Sequence, residues 1–130
     1  DLLTPFDVWG GISGIQSCVQ AIFSEGVVKR GVDPCVLANA WAKLPAEAFG
    51  LYGKKGDIKP GFDADLVIID PDKEWEITAD SLLYVNPISA FVGLKGQGLP
   101  VCTILRGKVM AEDGKVVGAK GTGELVKRIR

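Results

Sequence analysis

The sequence contains no histidine among its 130 residues. Histidine is the side chain whose ordinary pKa lies near neutrality, and it is the commonest metal ligand in proteins. Its absence means that this chain cannot build a Ser-His-Asp triad, a histidine general base or an imidazole metal site from its own residues. Chemistry of that kind would have to come from elsewhere in a longer protein.

Cysteine is scarce, with three residues, Cys18, Cys35 and Cys102, and no Cys-x-x-Cys spacing. An odd number at irregular spacing argues against both a disulfide framework and a zinc finger. We therefore expect reduced, mostly buried thiols in a cytoplasmic protein.

Excess charge and long apolar runs are also absent. The 15 basic and 16 acidic residues give a net charge of −1, which provides no electrostatic basis for binding nucleic acid or an anionic membrane. No apolar run approaches the roughly 20 residues of a membrane helix. The opening DLLTPFD has no basic segment, so no signal peptide is expected. With 47% hydrophobic residues, the composition is that of a soluble globular domain.

The first fifty residues have helical patterning. Apolar residues recur at helical spacing over the first segment: Ile12, Ile15, Val19, Ile22, Phe23 and Val27. Gly31 is expected to end that helix. Asp33 as N-cap and Pro34 as first helical residue predict the start of a second helix. Its predicted buried stripe is Val36, Leu37, Ala40, Trp41 and Leu44. A short helical turn over residues 45–49, ended by Gly50, follows.

The second half has strand patterning. We predict a core strand over residues 66–69 and a later strand with Trp75 and Ile77 on one face. The stretch VNPISAFVGLKGQGLP is expected to be a long irregular connection. Tight turns at Arg106-Gly107 and Asp113-Gly114 then predict a three-strand meander.

A β unit of about five short strands normally needs a covering layer. The sequence supplies no further layer, so we expect this chain to be a fragment that lacks strands from its N-terminal side.

Several short patterns resemble sites of known chemistry. Asp63 and Asp65 could form a two-carboxylate metal site, but without a third ligand at suitable spacing we expect them to fix a turn through backbone amides. Ser13, Ser17 and Ser24 lack the Gly-x-Ser-x-Gly setting of a nucleophile. The glycine-rich stretches GLKGQG and GAKGTG do not lie between a strand and a helix, so we expect turns rather than phosphate loops.

The stretch VWGGISGIQ, residues 8–16, is a stronger candidate. Its glycines could serve only the dihedral angles of a loop that enters a helix. Alternatively, the bare main chain could pair with a flat polar ligand, such as a cyclic amide or ureide, while Trp9 forms a wall. The residues alone leave both interpretations open.

Three segments, WGGISGIQ, GLYGKKGDIKPGFDADLVIIDPD and TILRGKVMAEDGKVVG, resemble in that order the C-terminal part of the cyclic amidohydrolases. That family includes allantoinase, hydantoinase or dihydropyrimidinase, and dihydroorotase. The Trp-Gly-Gly followed by Ile-Ser-Gly-Ile-Gln is most similar to the allantoinase branch. Hydantoinases tend to have Asn-Gly there, and dihydroorotases Pro-Phe-Gly followed by Gly-Leu-Glu.

The resemblance implies an α/β fold: the C-terminal end of a (β/α)8 barrel, mainly helices, followed by the C-terminal strands of a small β-sandwich. Residues 1–52 would hold the last barrel loop and helices, residues 53–117 the sandwich strands, and residues 118–130 a tail. The family implies two divalent metal ions, usually zinc, whose ligands are histidines, a carboxylated lysine and an aspartate upstream of Trp9. We therefore expect no metal ligand and no catalytic residue in this chain.

The resemblance also implies substrate-binding residues. Trp9 and Gly10 match the loop that contacts substrate through its main chain in dihydroorotases. In the family, the aspartate of the metal centre also carries a proton to the leaving nitrogen. The resemblance does not assign Asp1 or Asp7 to that role, since neither lies in a His-Ser/Ala-Pro motif. Gln16 replaces the acidic residue typical of dihydroorotases, which argues against dihydroorotate as substrate.

The activity implied is hydrolysis of the hydantoin ring of allantoin to allantoate in purine catabolism, by a cytoplasmic homotetramer. We expect this chain alone to be inactive. Hydantoinase or dihydropyrimidinase, dihydroorotase, and a non-catalytic scaffold relative remain the alternatives.

Overall fold

The computed structural model describes Thr4, Gly11 and residues 13–129. Its first part is helical and its second part is an antiparallel sheet. The helical segments, in order, are α1 (Cys18–Ile22), a π-helical segment Phe23–Val28, α2 (Pro34–Ala38), a π-helical segment Asn39–Lys43, and α3 (Leu44–Ala48). The strands are β1 (Leu66–Glu76), β2 (Lys95–Leu105), β3 (Lys108–Glu112) and β4 (Lys115–Val116), with a 3₁₀ turn at Ala79–Ser81 between β1 and β2.

The first helix is shorter than its apolar pattern suggested. It begins at Cys18, and the residues before it form a turn in which Ile15 is exposed. Ile12 lies outside the described residues. The α-helix continues without interruption into the π-helical segment, and Gly31, with a φ of +66°, follows its end as expected. The pattern therefore predicted the C-terminal end of the helix correctly but placed its start too early.

The second helix begins where its cap residues indicated. The Asp33 side chain accepts a hydrogen bond of 2.8 Å from the backbone N–H of Cys35, and Pro34 is the first helical residue. The chain then stays helical through a π-helical segment into α3, so Pro45 lies inside a continuous helix rather than at the start of a separate turn. Because proline cannot donate a helical hydrogen bond, the wider turns before it accommodate the missing donor.

The predicted buried stripe of this helix is wrong in this chain. Of its five residues only Leu37 is even half-buried, and Val36, Ala40, Trp41 and Leu44 are exposed. The helical period is correct. A periodic apolar face becomes a buried face only where a second layer packs on it, and none of the described elements does so here.

The sheet has four strands in the part of the chain that the structure describes, in the order β1-β2-β3-β4, rather than about five. β2, β3 and β4 form the predicted meander. Arg106 and Gly107 have φ of +47° and +77°, and Asp113 and Gly114 have φ of +45° and +75°. Positive φ at both central residues is typical of the two-residue turns that match the twist of a hairpin.

Strand β1 is longer and less buried than predicted. It includes the first predicted strand and most of the second, and it ends one residue before Ile77. Trp75 and Ile77 are buried together as expected, but Val67 and Ile68 are about half exposed rather than core residues. Its pairing with β2 shifts register after Ile68, opposite Pro100, which lacks the amide needed for regular pairing.

Only the first residue of the stretch GLKGQG, Gly93, lies in a turn, so the prediction of a turn is wrong for most of the stretch. Strand β2 already begins at Lys95, and Gly96 pairs with Trp75 of β1. A Cβ on Gly96 would lie 2.4 Å from Oγ of Ser24 and 2.4 Å from the Trp75 ring, and one on Gly98 would lie 2.3 Å from the Phe23 ring. These glycines thus let the helical layer approach the strand closely, which sequence composition alone could not distinguish from a turn.

The hydrophobic core lies where α1 meets the sheet. Ala21, Trp75, Ile77 and Leu82 are buried together, and four half-buried residues pack against them: Tyr84, Phe91, Leu94 and Leu99. The Trp75 indole N–H donates to the carbonyl of Gly98 at 3.0 Å, so the ring is held by both packing and a buried hydrogen bond.

The cysteines are free, but they are not mostly buried as expected. Cys35 is exposed and Cys18 and Cys102 are half-buried. Cys35 is exposed because it lies on the uncovered second helix. Within the described residues, no helix has the length and apolar character needed to cross a membrane.

Candidate functional site

The two predicted substrate-binding residues, Trp9 and Gly10, lie outside the described residues, as do Asp1 and Asp7. The structure describes the same loop from Gly11 and Ser13 onwards. Gly11 has a φ of +96°, a conformation that side-chain-bearing residues rarely adopt. At least one glycine of this loop is therefore needed for the backbone conformation at its position.

A groove of about 660 Å³ opens beside this loop. Gly11 and Ser13 line one side, and the connection between β1 and β2 lines the other with Tyr84, Val85, Asn86, Ile88, Ser89 and Ala90. The groove is therefore formed by two segments that are far apart in the sequence. Its lining combines apolar side chains with several polar groups, a composition common in small-molecule sites.

Hydrogen bonds and packing hold the two sides together. The Ser89 hydroxyl donates to the carbonyl of Ser13 at 2.8 Å and also accepts a bond from the Phe91 amide at 3.3 Å. Gly14 lies against Phe91, so that a Cβ at this position would be 3.1 Å from the ring. A side chain at Gly14 would therefore need the Phe91 ring to shift by a few tenths of an ångström.

Gln16 makes the largest number of these connections. Its backbone N–H donates to the Tyr84 hydroxyl at 2.9 Å, and its side-chain amide contacts the backbone of Ser81 and Leu83. The sequence analysis considered Gln16 only as a difference from dihydroorotases, and it did not identify Tyr84 or Ser89 as residues of the site. No local pattern could have found them, because Tyr84 lies 68 positions from Gln16 in a stretch without regular periodicity.

The other two serines considered as nucleophiles, Ser17 and Ser24, belong to the helical part of the chain. Ser17 and Ser24 are almost completely buried. The Ser24 hydroxyl accepts a bond of 3.1 Å from the amide of Gln97 in β2, and so joins helix and sheet.

Asp63 and Asp65 are bound by protein groups. Lys55 forms ion pairs with both carboxylates, at 2.8 Å to Asp63, and the Arg106 amide donates to Asp65 at 2.7 Å. The bond from Arg106 confirms the structural interpretation of Asp65. Burial raises the pKa of Asp65, but Lys55 and the Arg106 amide outweigh that effect and hold the pKa below its ordinary value.

We expect Asp65→Asn to lower the free energy of unfolding by about 1 kcal/mol near neutral pH, because it removes an ion pair that is only partly exposed. A lowered folded-state pKa stabilises the protein above the unfolded-state value of about 3.9, and this contribution is lost as pH falls through the folded-state pKa. The difference from wild type should therefore shrink in acid. Urea unfolding at neutral and acidic pH measures it, with Asp72→Asn on an exposed carboxylate as control. A difference that stays constant with pH would contradict the assignment.

Among the described residues, no group of three potential metal-binding side chains (cysteine, aspartate or glutamate) lies close enough together to hold a metal ion. The described part of the site can therefore bind and orient a ligand through backbone, hydroxyl and amide groups.

Residues 14–110 match the amidohydrolase family. The chain belongs to the amidohydrolase family. Its similarity to individual members covers most of its length: it is 45% identical to the allantoinase of Rubrobacter xylanophilus over 112 residues, which is 86% of this chain and 24% of that protein. It is 42% identical to the allantoinase of Escherichia coli K12 over 115 residues, or 87% of this chain and 25% of that protein.

Solved amidohydrolase structures share the fold of this chain. The L-hydantoinase (dihydropyrimidinase) of Arthrobacter aurescens superposes with a TM-score of 0.89 at 32% identity, and the D-hydantoinase of a Thermus species with a TM-score of 0.89 at 34% identity. In both comparisons 95% of this chain covers 27% of the other. The chain thus spans about a quarter of the length of these family members.

Proposed function

We propose that this chain is the C-terminal portion of a metal-dependent cyclic amidohydrolase of the allantoinase type, which hydrolyses the hydantoin ring of allantoin to allantoate. The observation that carries the proposal is the 42–45% identity to allantoinases over 86–87% of the chain, which extends through both of its halves. The groove beside the same segment supports it, because it provides a place for a small polar ring next to the loop.

The uncovered second helix supports the assignment to a larger barrel. Val36, Trp41, Leu44 and Phe49 are 59%, 41%, 51% and 65% exposed. Several large apolar side chains left exposed along one helical unit are typical of a surface that packs against another layer. We propose that residues 1–52 belong to the end of a (β/α)8 barrel, residues 53–117 to a composite β-sandwich, and residues 118–130 to a tail.

The residues of this chain do not fit the metal centre of the family. It has no histidine, and the two closely spaced carboxylates, Asp63 and Asp65, already form ion pairs with Lys55. We propose that two divalent ions, with zinc as the expected metal, are held by another part of a longer protein, and we derive no catalytic step from this chain.

The contribution of this chain would be substrate binding. A hydantoin ring has alternating N–H donors and carbonyl acceptors at its edge, which can pair with main-chain groups. We propose that the backbone at Trp9 and Gly10 makes these bonds and that the Trp9 ring covers one face of the substrate. The wall formed by residues 84–90 would lie opposite.

A second candidate substrate class is favoured by the structures. The two superposed proteins are hydantoinases, so a hydantoin or dihydropyrimidine is the alternative within the same chemistry. Gln16 is not evidence against dihydroorotate as a substrate, because its side chain forms hydrogen bonds to the backbone of Ser81 and Leu83 within the protein. A non-catalytic scaffold relative is the alternative outside the enzyme class.

The decisive experiment is an assay of the longer protein that carries this chain, loaded with zinc or cobalt, on allantoin, hydantoin, dihydrouracil and dihydroorotate. We expect the highest kcat/KM for allantoin and no turnover by the 130-residue chain alone. Turnover by the isolated chain would overturn the assignment as a fragment, and inactivity of the metal-loaded longer protein on all four compounds would favour the scaffold. Gel filtration of the longer protein tests the homotetramer that the family resemblance implies.

In the longer protein we expect Trp9→Ala to raise the KM for allantoin about 10-fold, equivalent to about 1.4 kcal/mol of lost binding, because the ring would no longer cover the substrate. Steady-state kinetics measure the change, and Trp41→Phe on the second helix is the matched control for loss of an indole. Unchanged kinetics in Trp9→Ala would exclude Trp9 from the site.

A further inference from the structure

We infer that Gln16 is a positioning residue, which holds the substrate loop against the opposite wall of the groove through a side-chain amide whose two bonds a carboxylate could not both make. The inference rests on the proposed function, because the loop it positions is the one assigned to substrate binding. No contact between Gln16 and a substrate is involved.

Both polar atoms of the Gln16 side-chain amide form hydrogen bonds to the backbone of residues 81–83. Its Nε2 donates to the carbonyl of Ser81 at 2.7 Å, and its Oε1 accepts from the amide of Leu83 at 2.8 Å. Leu82, between them, is extended, with φ −80° and ψ 128°. In an extended chain, the carbonyl before a residue and the amide after it point to the same side. Gln16 therefore pairs edge to edge with this backbone, as a neighbouring strand would.

The chemistry of the position selects an amide. Ser81 offers an acceptor and Leu83 a donor, so the side chain between them must both donate and accept. An ionised carboxylate only accepts, and at this position it would place an oxygen about 2.7 Å from the Ser81 carbonyl oxygen. Glutamate would therefore keep the bond from Leu83 but lose the bond to Ser81 and repel its carbonyl oxygen, although its shape is nearly identical.

The segment that Gln16 binds is anchored in the hydrophobic core through Leu82. Leu82 is 8% exposed and belongs to the core with Ala21, Trp75 and Ile77. A loop tied to residues on either side of Leu82 is thus tied to the core of the molecule. The bond from Ser89 to Ser13 provides a second connection on the same loop.

These contacts act on the residues that directly follow Trp9 and Gly10. Ser13 lines the groove on the loop side, and Tyr84 lines the opposite side. The Tyr84 hydroxyl accepts a hydrogen bond from the backbone N–H of Gln16. The three bonds of Gln16 therefore set the distance between the two walls. Loss of the side-chain bonds should widen or disorder the groove without removing any group that touches the substrate.

The test compares Gln16→Glu and Gln16→Ala with wild type in the metal-loaded longer protein. We expect both variants to raise the KM for allantoin about 10-fold while kcat changes by less than about 3-fold, as for a residue that affects substrate binding rather than chemistry. Hydrogen exchange measured by mass spectrometry should be faster in the peptides that contain residues 13–16 and 81–84.

Gln97→Glu is the matched control. It makes the same amide-to-carboxylate change and also removes a side-chain bond to a backbone carbonyl, that of Asp72, but it lies on β2. We expect it to leave the KM and the exchange of residues 13–16 and 81–84 as in wild type. An equal KM increase in Gln97→Glu, or wild-type kinetics in both Gln16 variants, would overturn the inference.

Failure of the proposed function gives a different result. If the metal-loaded wild type hydrolyses none of the cyclic amides, the substrate assignment fails and hydrogen exchange alone decides the role of Gln16. Faster exchange at residues 13–16 and 81–84 in Gln16→Glu, but not in Gln97→Glu, would then still support the positioning role, and unchanged exchange would overturn it.

Discussion

Gly98→Ala is expected to lower the free energy of unfolding by about 3 kcal/mol, from a backbone term and a packing term of similar size. Gly98 has a φ of +90°, where any residue with a Cβ is strained. The added Cβ would also lie 2.3 Å from the ring of Phe23, a buried residue of the helical layer. The ring cannot move aside without opening the contact between helix and sheet. Urea denaturation followed by circular dichroism measures the loss.

The matched control is Gly26→Ala in the π-helical segment. A Cβ there meets no atom within 4 Å, and alanine favours helix over glycine, so the variant should be as stable as wild type or slightly more so. Equal stability of Gly98→Ala and Gly26→Ala would show that β2 and the helix are not in close contact in solution.

Trp75→Ala is expected to cost about 3–5 kcal/mol of unfolding free energy, the range measured for truncating a large buried aromatic residue. The ring is 9% exposed, packs beside Ala21, Ile77 and Leu82, and donates its indole N–H to the buried carbonyl of Gly98. Truncation therefore leaves both a cavity and an unsatisfied carbonyl. Trp75→Phe retains most of the packing and isolates the hydrogen bond, for which we expect about 1 kcal/mol. Urea unfolding followed by circular dichroism is the measurement for both variants.

Trp41→Ala provides the same truncation on an exposed site, and in this chain it should change stability by less than about 1 kcal/mol. In the longer protein proposed above, the cost should be larger, because the second helix would be covered. A similar loss for Trp41→Ala and Trp75→Ala in the 130-residue chain would contradict the position of the core.

Local chemistry made several elements predictable. Asp33 and Pro34 mark the start of a helix because a carboxylate can satisfy its first amides and proline needs no amide there. The Arg106-Gly107 and Asp113-Gly114 turns followed from the preference of hairpins for positive φ. The pairing of Trp75 and Ile77 on one face followed from the two-residue period of a strand.

Other features depended on contacts between distant residues. The glycines of GLKGQG look like turn residues, yet Gly96 and Gly98 lie in β2 because Ser24 and Phe23 pack directly onto them. The wall of the groove around Tyr84 and Ser89 was not recognised, because an irregular connection has no period by which its buried or lining residues can be identified.

The sequence by itself determined where the first helix ends, where the second begins and where the two hairpin turns lie, as well as the period of the apolar residues and the family resemblance, because these properties depend on neighbouring residues and on short motifs. Only the tertiary structure decided which apolar faces are covered, why Gly96 and Gly98 must be glycine, and that Gln16 connects the loop to the core. Burial and hydrogen bonding between distant segments are set by the arrangement of layers, which no single stretch of sequence encodes.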